Sequence, residues 1–203
     1  MAVSTTNMLQ LPEKKKEDDE KGNDILPIEV LIKKAIEGDQ PAFRRIYELY
    51  AGKMYSLCHR YSGNTGFADD LFQDGFIKVF NNLQSYKGLG SFEGWVRRIF
   101  VNTCLDFLNL KKRVYSSDRI EQNEDIHPLI DGEKEIHLSK EELLKAIQQL
   151  PDGYRTVLNL CLVEGYNHKE TAEMLGINEG TSKSQLSKAR NKLQEIIRKS
   201  HGR

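Results

Sequence analysis

The chain has 203 residues, of which 38% are hydrophobic and 30% are charged, and its 30 Lys and Arg residues balance its 30 Asp and Glu residues. This composition is typical of a soluble protein, and the length suits one or two domains. We find no apolar run as long as a membrane span and no signal peptide, so we expect a cytoplasmic protein. Three cysteines without C-x-x-C spacing argue against a disulfide framework or a zinc site, and we expect buried thiols and no cofactor.

The first part of the chain has the pattern of a helical bundle behind a polar tail. Residues 1–26 mix charges and contain few apolar residues, so we predict a disordered tail. Four helices are predicted, over residues 27–36, 40–61, 67–83 and 91–113. Pro27 suits the first turn of the first helix and Gly38 ends it, and Asp39 before Pro41 marks the start of the second. No segment has the alternating pattern of a strand, so residues 27–113 are predicted to form an all-α domain.

An acidic segment, 114–138, separates this domain from a second one. It holds two basic and seven acidic residues, whereas 29–113 holds thirteen basic against nine acidic residues and 139–203 holds eleven against eight. We therefore predict a flexible, acidic linker between two small helical domains. Because both domains are mildly basic, we expect both to contact nucleic acid.

The second domain, 139–203, is predicted to end in a helix-turn-helix. It begins with two helices, over 139–150 and 152–163, and Ser139 and Glu142 have capping-box spacing at the start of the first of them. Asn167 and Glu170 then have capping-box spacing for a short helix to Leu175, and Gly176 supplies the left-handed residue of a sharp turn.

A longer helix follows the cap residue Asn178. Its apolar residues recur at helical spacing from Leu186 to Ile197, and residues 180–203 hold seven Lys or Arg against one acid. Such a basic second helix is typical of one that enters a DNA major groove. Any αα-hairpin of a bundle can show the same turn, and Ser182 occupies a position that is commonly apolar in a helix-turn-helix.

Two further helices carry exposed faces that a simple bundle does not require. In the third helix, Asp70, Gln73, Asp74 and Ile77 lie away from the apolar stripe. Asp70 and Asp74 are either ordinary acids at the start of a helix or, with Ile77 as the apolar component, part of a docking face for a basic partner helix.

The fourth helix has a stripe of hydrogen-bonding and basic groups beside its buried face. The predicted buried stripe is Val96, Phe100, Thr103, Phe107 and Leu110; the polar stripe contains Trp95, Arg98, Asn102, Asp106 and Asn109. Aromatic rings that stack on bases and cations that follow phosphates are the chemistry of a single-strand site, although a tryptophan at the position of Trp95 is by itself more often a core residue. The five histidines are scattered without metal-ligand spacing, and we expect no catalytic site.

At this point the sequence resembles a known family, the bacterial RNA polymerase sigma factors of the extracytoplasmic-function (ECF) group, two-domain members of the sigma-70 family. Residues 41–113 resemble region 2 in the motifs PAFRRIYELY, ADDLFQDGFIKVFNNL and SFEGWVRRIFVNTCLDF. Residues 139–199 resemble region 4 in QLPDGYRTVLNLCLVEGYNHKETAEMLGINEGTSKSQLSKARNKL. The resemblance covers about two thirds of the chain, in order and with a linker of the expected kind.

The resemblance implies three sets of binding residues. The face that contacts the β′ coiled coil of core polymerase would be Asp70, Leu71, Gln73, Asp74 and Ile77. The residues that open and hold the −10 promoter element would be Ser91, Phe92, Arg98, Asn102 and Asp106. The −35 element would be read by Ser184, Ser187 and Lys188, with Lys183 and Arg190 on phosphates. The linker would follow the RNA exit path of the polymerase.

The family also implies a factor that is not itself an enzyme, whose partners are core RNA polymerase, promoter DNA and an anti-sigma factor, with no small-molecule substrate. Gln185, Ser187, Lys188 and Asn109 depart from the usual family residues, which leaves the promoter preference open. Two alternatives remain: a helix-turn-helix regulator that acts without core polymerase, and a helical adaptor without a nucleic-acid role.

Overall fold

The computed structural model describes residues 26–63, 66–115 and 138–201, and within these ranges all regular structure is helical, as predicted. The α-helices are α1 (Ile28–Ile36), α2 (Gln40–Ser62), α3 (Ala68–Asn81), α4 (Phe92–Tyr115), α5 (Lys140–Gln148), α6 (Asp152–Leu158), α7 (His168–Leu175) and α8 (Glu179–His201). A 3₁₀ turn, Leu83–Ser85, follows α3, and a π-helical turn, Asn159–Val163, continues α6. The predicted tail, and the predicted linker apart from its first two residues and its last one, lie outside the described residues.

Helices α1–α4, which we call the first bundle, enclose a core rich in aromatic residues. Asp39 caps α2, its carboxylate accepting a hydrogen bond from the Ala42 amide at 3.2 Å. Along α3, Phe72 and Phe76 meet edge to face at 5.1 Å, and Phe76 meets Phe100 of α4 in the same way at 5.2 Å. These contacts hold α3 between α2 and α4, so that the opposite side of α3 faces outward.

The buried stripe of α4 differs from the predicted one at its end. Val96, Phe100 and Thr103 are buried as expected, but Leu110 is 59% exposed. The buried side instead continues through Leu105 and Leu108. An α-helix makes one turn every 3.6 residues, so Leu105 and Leu108 lie on a different side of α4 from Leu110. Leu110 therefore faces away from α2 and α3 near the end of the helix.

Helices α5–α8, the second bundle, have a smaller core. Val157, Leu158, Leu186 and Ala189 are buried there beside Leu150. The predicted capping boxes are present at both Ser139 and Asn167, and Gly176 ends α7 with φ of 64°. The turn between α7 and α8 therefore has the backbone that its sequence requires.

The two bundles pack directly against each other, which the sequence did not indicate. Leu160, in the π-helical turn of the second bundle, is fully buried in the first-bundle core. Tyr166, Met174 and Leu175 pack against the same core. Helices α5 and α6 lie against α2. Among the described residues, no helix has both the length and the hydropathy that crossing a membrane requires.

Candidate nucleic-acid interface

The outward side of α8 carries the residues predicted to read DNA. Leu186 and Ala189 turn inward and are buried, whereas the side chains predicted for DNA contact are exposed or, for Lys188, half-buried. The exposed ones are Lys183, Ser184, Ser187 and Arg190. Cations and hydroxyl groups on one side of a helix can bind phosphates and base edges together.

Lys183 has a partner within its own helix. Its Nζ lies 2.7 Å from Oε1 of Glu179, one turn earlier, and this hydrogen bond lowers the pKa of the Glu179 carboxyl. Ser184 likewise donates from Oγ to the Thr181 carbonyl at 3.0 Å. Both side chains would exchange these local contacts for DNA contacts, and exposed pairs of this kind are weak.

The contact between α7 and α8 is polar where the family pattern is apolar. Ser182 is fully buried, and its Oγ lies 2.9 Å from Nδ1 of His168. Cys161 Sγ lies 3.8 Å from the same nitrogen and 3.4 Å from Oγ1 of Thr171. The departure at Ser182 is thus matched by hydrogen-bonding partners on α7, and the cluster fixes the angle at which α8 leaves the turn.

The predicted −10 residues divide between surface and core. Arg98, Asn102 and Asp106 are exposed along one side of α4, and Asp106 Oδ2 lies 3.2 Å from Nζ of Lys78 on α3. Ser91 caps α4, with its Oγ accepting a hydrogen bond from the Gly94 amide at 3.1 Å. The arrangement leaves a polar edge along α4 that a DNA backbone and its bases could follow.

Phe92 corrects the prediction that its ring holds the opened strand. Only 3% of it is exposed, because it packs between Tyr50, Tyr86 and Trp95. Its ring stacks on that of Trp95 at 5.5 Å, with an angle of 23° between the planes. Phe92 therefore anchors the start of α4, and Trp95 is half-buried against the core.

The predicted docking face on α3 is exposed except for one member. Asp70, Gln73, Asp74 and Ile77 share one outward side of the helix. Leu71 points about 100° away from Asp70 around the helix and is only 3% exposed, so it supports this face from within the core and cannot contact a partner. Neither Asp70 nor Asp74 forms an ion pair with any described residue.

The sequence reasoning missed two aromatic rings of α2 beside this face. Tyr47 and Tyr55 are 37% and 39% exposed, and both contact Phe72 on α3. A hydrogen bond with Asp69 raises the pKa of the Tyr55 hydroxyl, which shows that this ring reaches the start of α3. Their exposure follows from their position at the rim of the bundle, which the residue spacing of α2 does not indicate.

Comparison with known proteins agrees with the motifs. The family model "Sigma-70 region 2" matches residues 46–114, and "Sigma-70, region 4" matches residues 140–193. The ECF RNA polymerase sigma factor SigW of Bacillus subtilis is 34% identical over 84% of this chain and 99% of its own length. SigE of Mycolicibacterium smegmatis is 33% identical over 80% of this chain, which spans 65% of that relative.

A solved structure agrees at the level of the fold. The sigma factor RpoE of Bartonella quintana, in complex with the anti-sigma factor NepR, matches 77% of this chain and 96% of its own, with a TM-score of 0.50 and 26% identity. Both sigma-70 regions are present in the expected order, on a helical fold. The chain therefore belongs to the ECF sigma factors of the sigma-70 family.

Proposed function

We propose that this chain binds core RNA polymerase, recognises the −35 and −10 promoter elements and promotes DNA melting at the start of transcription, without a catalytic site of its own. The observation that carries the proposal is the exposed face of α3. It presents two carboxylates that form no ion pair with any residue the structure describes, one amide and Ile77, which is 37% exposed. Acidic groups around a small apolar centre suit a basic amphipathic partner such as the β′ coiled coil.

The −10 role belongs to the exposed edge of α4. Ser91, Arg98, Asn102 and Asp106 supply one cation and several hydrogen-bonding groups, over a floor of stacked rings at Phe92 and Trp95. The packed rings of Phe92 and Trp95 keep the exposed side of α4 in a fixed position, to which a flexible single DNA strand can adapt.

The −35 role belongs to α8. Ser184, Ser187 and Lys188 face outward in successive turns, with Lys183 and Arg190 beside them. Serine hydroxyls discriminate bases less than an arginine fork does, so we expect phosphate contacts to supply much of the affinity. The proposed partners thus include promoter DNA and core polymerase in the cytoplasm. The solved relative held by an anti-sigma factor supports a regulatory partner of that kind here as well.

The direct test is transcription. Purified chain added to core polymerase is expected to give promoter-dependent transcripts from a library of genomic fragments. A complete absence of such transcripts, while a reference sigma factor is active with the same core, would reject the function and favour a regulator that acts without polymerase.

The α3 face has its own test. Asp74→Arg should weaken binding to core polymerase at least tenfold, because it places a cation against a basic partner. Binding of the variant to DNA that carries only the −35 element should not change. Glu37→Arg at the exposed end of α1 makes the same change in charge and serves as the control. Equal losses in both variants would mean that overall charge, and not this face, sets the affinity.

The α8 face is tested independently. Lys188→Glu should abolish binding to −35 DNA while leaving core affinity intact, since it places an acid beside the phosphates. Lys140→Glu, exposed in the first turn of α5, is the matched control because an acid is tolerated at a helix start. A pull-down with core polymerase beside a DNA titration separates the two activities.

A further inference from the structure

The start of α3 departs from the capping pattern of three other helices. Those helices begin at residues whose side chains accept a hydrogen bond from the first turn: Asp39, Ser139 and Asn167. At α3 the N-cap is Phe67, and no side chain caps the helix. An apolar residue is among the least favourable at this position, because the first amide groups of the helix then lack an acceptor. A departure of this kind from local rules is expected where a residue serves binding.

The ring of Phe67 is not placed in the core either. It is 43% exposed, more than any other aromatic side chain among the described residues. It contacts Phe107 of α4, with 5.0 Å between the ring centroids, and Phe107 in turn packs against the core of the first bundle. Phe67 thus rests on the bundle from outside, and much of its apolar surface remains available to a partner.

Leu110 of α4 enlarges this apolar surface. It is 59% exposed, and around the helix it lies between Asp106 and Phe107, about 40° from the first and about 60° from the second. Both of these residues contact α3, Asp106 through its ion pair with Lys78 and Phe107 through its ring. Leu110 therefore lies one turn beyond the junction of α3 and α4, on its outward side. We call Phe67, Phe107 and Leu110 the apolar end patch.

The apolar end patch continues the docking face of α3. Three, four and three residues separate the successive members of one stripe, which is the spacing of one side of a helix: Phe67, Asp70, Asp74 and Ile77. The stripe therefore reads apolar, acidic, acidic, apolar over ten residues, or about 15 Å at 1.5 Å per residue. Single exposed apolar residues are common on protein surfaces, whereas a contiguous group beside charged residues is typical of an interaction site.

A basic amphipathic helix fits this order of groups. Its cations would lie against the two carboxylates, which form no ion pair with any described residue. Its apolar residues, about ten positions apart, would contact Ile77 at one end of the stripe and Phe67 with Leu110 at the other. Two carboxylates beside the patch repel the phosphate groups of DNA, so the charge favours a protein partner over a nucleic acid.

We propose that the apolar end patch is a second apolar anchor of the docking face, contacted by the same basic helix of core polymerase that binds Asp70, Asp74 and Ile77. This inference rests on the proposed function, because that function supplies the partner helix. The patch extends the docking face from α3 onto α4. It restricts the partner to basic helices that carry an apolar residue near each end of the contact.

The experiment measures the affinity of the full chain and of three new variants for purified core polymerase. Leu110→Gln removes an apolar side chain that the fold leaves exposed, and Phe67→Ser replaces the ring by a hydroxyl group that can cap α3. Leu49→Gln makes the same change as Leu110→Gln at a 40% exposed position of α2 and is the control. Circular dichroism and thermal unfolding verify that each variant is folded.

Both patch variants should bind core polymerase more weakly. We expect a loss of about fivefold for Leu110→Gln and about tenfold for Phe67→Ser, whereas Leu49→Gln should match the unmodified chain. Because the contact is apolar, the loss for Leu110→Gln should be equal at low and high salt. The loss for Asp74→Arg should shrink at high salt, since salt screens exposed charges. Binding of every patch variant to single-stranded DNA that carries the −10 element should not change.

Unchanged core affinity in both patch variants would overturn the proposal, and the proposed function would stand if Asp74→Arg still weakened binding. Leu110→Gln decides the matter alone if Phe67→Ser does not fold. Weaker binding to −10 DNA with unchanged core affinity would assign the patch to DNA and would also overturn the proposal. If the unmodified chain does not bind core polymerase at all, the proposed function and this inference fail together.

Discussion

Gly75, in the middle of α3, packs closely against Phe100 of α4. A Cβ built at this residue would lie 2.3 Å from Cε1 of Phe100 and 2.6 Å from two other atoms of that ring. Ordinary contact needs about 3.5 Å or more, so the ring would have to move by more than about 1 Å. Phe100 is fully buried and meets Phe76 edge to face, which leaves it no room to move.

Two opposing effects decide the stability of Gly75→Ala. Alanine in a helix interior is favoured over glycine by about 1 kcal/mol. Overpacking a well-filled core typically costs about 1–3 kcal/mol, and a pinned aromatic ring places this site at the upper end. We therefore expect a net destabilisation of about 1–2 kcal/mol. For a protein of this size, that corresponds to a Tm lower by about 2–8 °C.

Gly52→Ala in α2 is the matched control. A Cβ at Gly52 meets no atom within 4 Å, so this substitution should bring only the helix-propensity gain and raise the Tm by a few degrees. Thermal unfolding followed by circular dichroism at 222 nm measures both variants. Similar gains in stability for the two alanines would refute the reasoning, because Phe100 would then not restrict position 75.

Two further outcomes follow from buried polar groups. Ser182→Ala should lower the free energy of unfolding by about 1–2 kcal/mol in a urea titration, because it leaves His168 without its bond to a buried hydroxyl; an unchanged midpoint would show that the hydroxyl contributes nothing. A hydrogen bond with Cys58, which favours the protonated thiol, and burial raise the pKa of Cys104, whereas Cys161 is partly exposed. Iodoacetamide at pH 8 should therefore alkylate Cys161 first, and peptide mass spectrometry that found Cys104 modified as fast would contradict the closed core.

Helix positions were predicted well from the sequence because their signals are local. The caps at Asp39, Ser139 and Asn167 and the turn glycine Gly176 each act within one turn of chain, and all four take the predicted conformation. The period of apolar residues likewise placed the outward side of α3 correctly. The predicted end of the α4 stripe at Leu110 was wrong, because burial there depends on where the other helices stop.

For the site residues as well, the sequence predicts positions along the chain, whereas the exposure of each side chain depends on tertiary packing. A family motif identifies a position in the sequence but does not give the direction of its side chain. Leu71 and Phe92 were therefore predicted to lie on binding faces, although both side chains are buried. Tyr55 was missed for the opposite reason, since its exposure depends on the neighbouring helix. The contact between Glu164 and two arginines joins residues that are 104 and 67 positions apart, and no spacing rule connects them.

Among the residues that the structure describes, three buried side-chain atoms near the contact between the bundles lack a hydrogen-bond partner: Arg60 Nε, Tyr61 Oη and Asn159 Oδ1. A buried polar atom without a partner costs about 1–3 kcal/mol, so the contact is less stable than its buried area and ion pairs suggest. Arg60 and Asn159 join the two bundles, so water that reached their unpartnered atoms on separation would offset part of the loss of the Glu164 pairs with Arg60 and Arg97. A partner that separated the bundles would therefore need less binding energy than the ion pairs alone suggest.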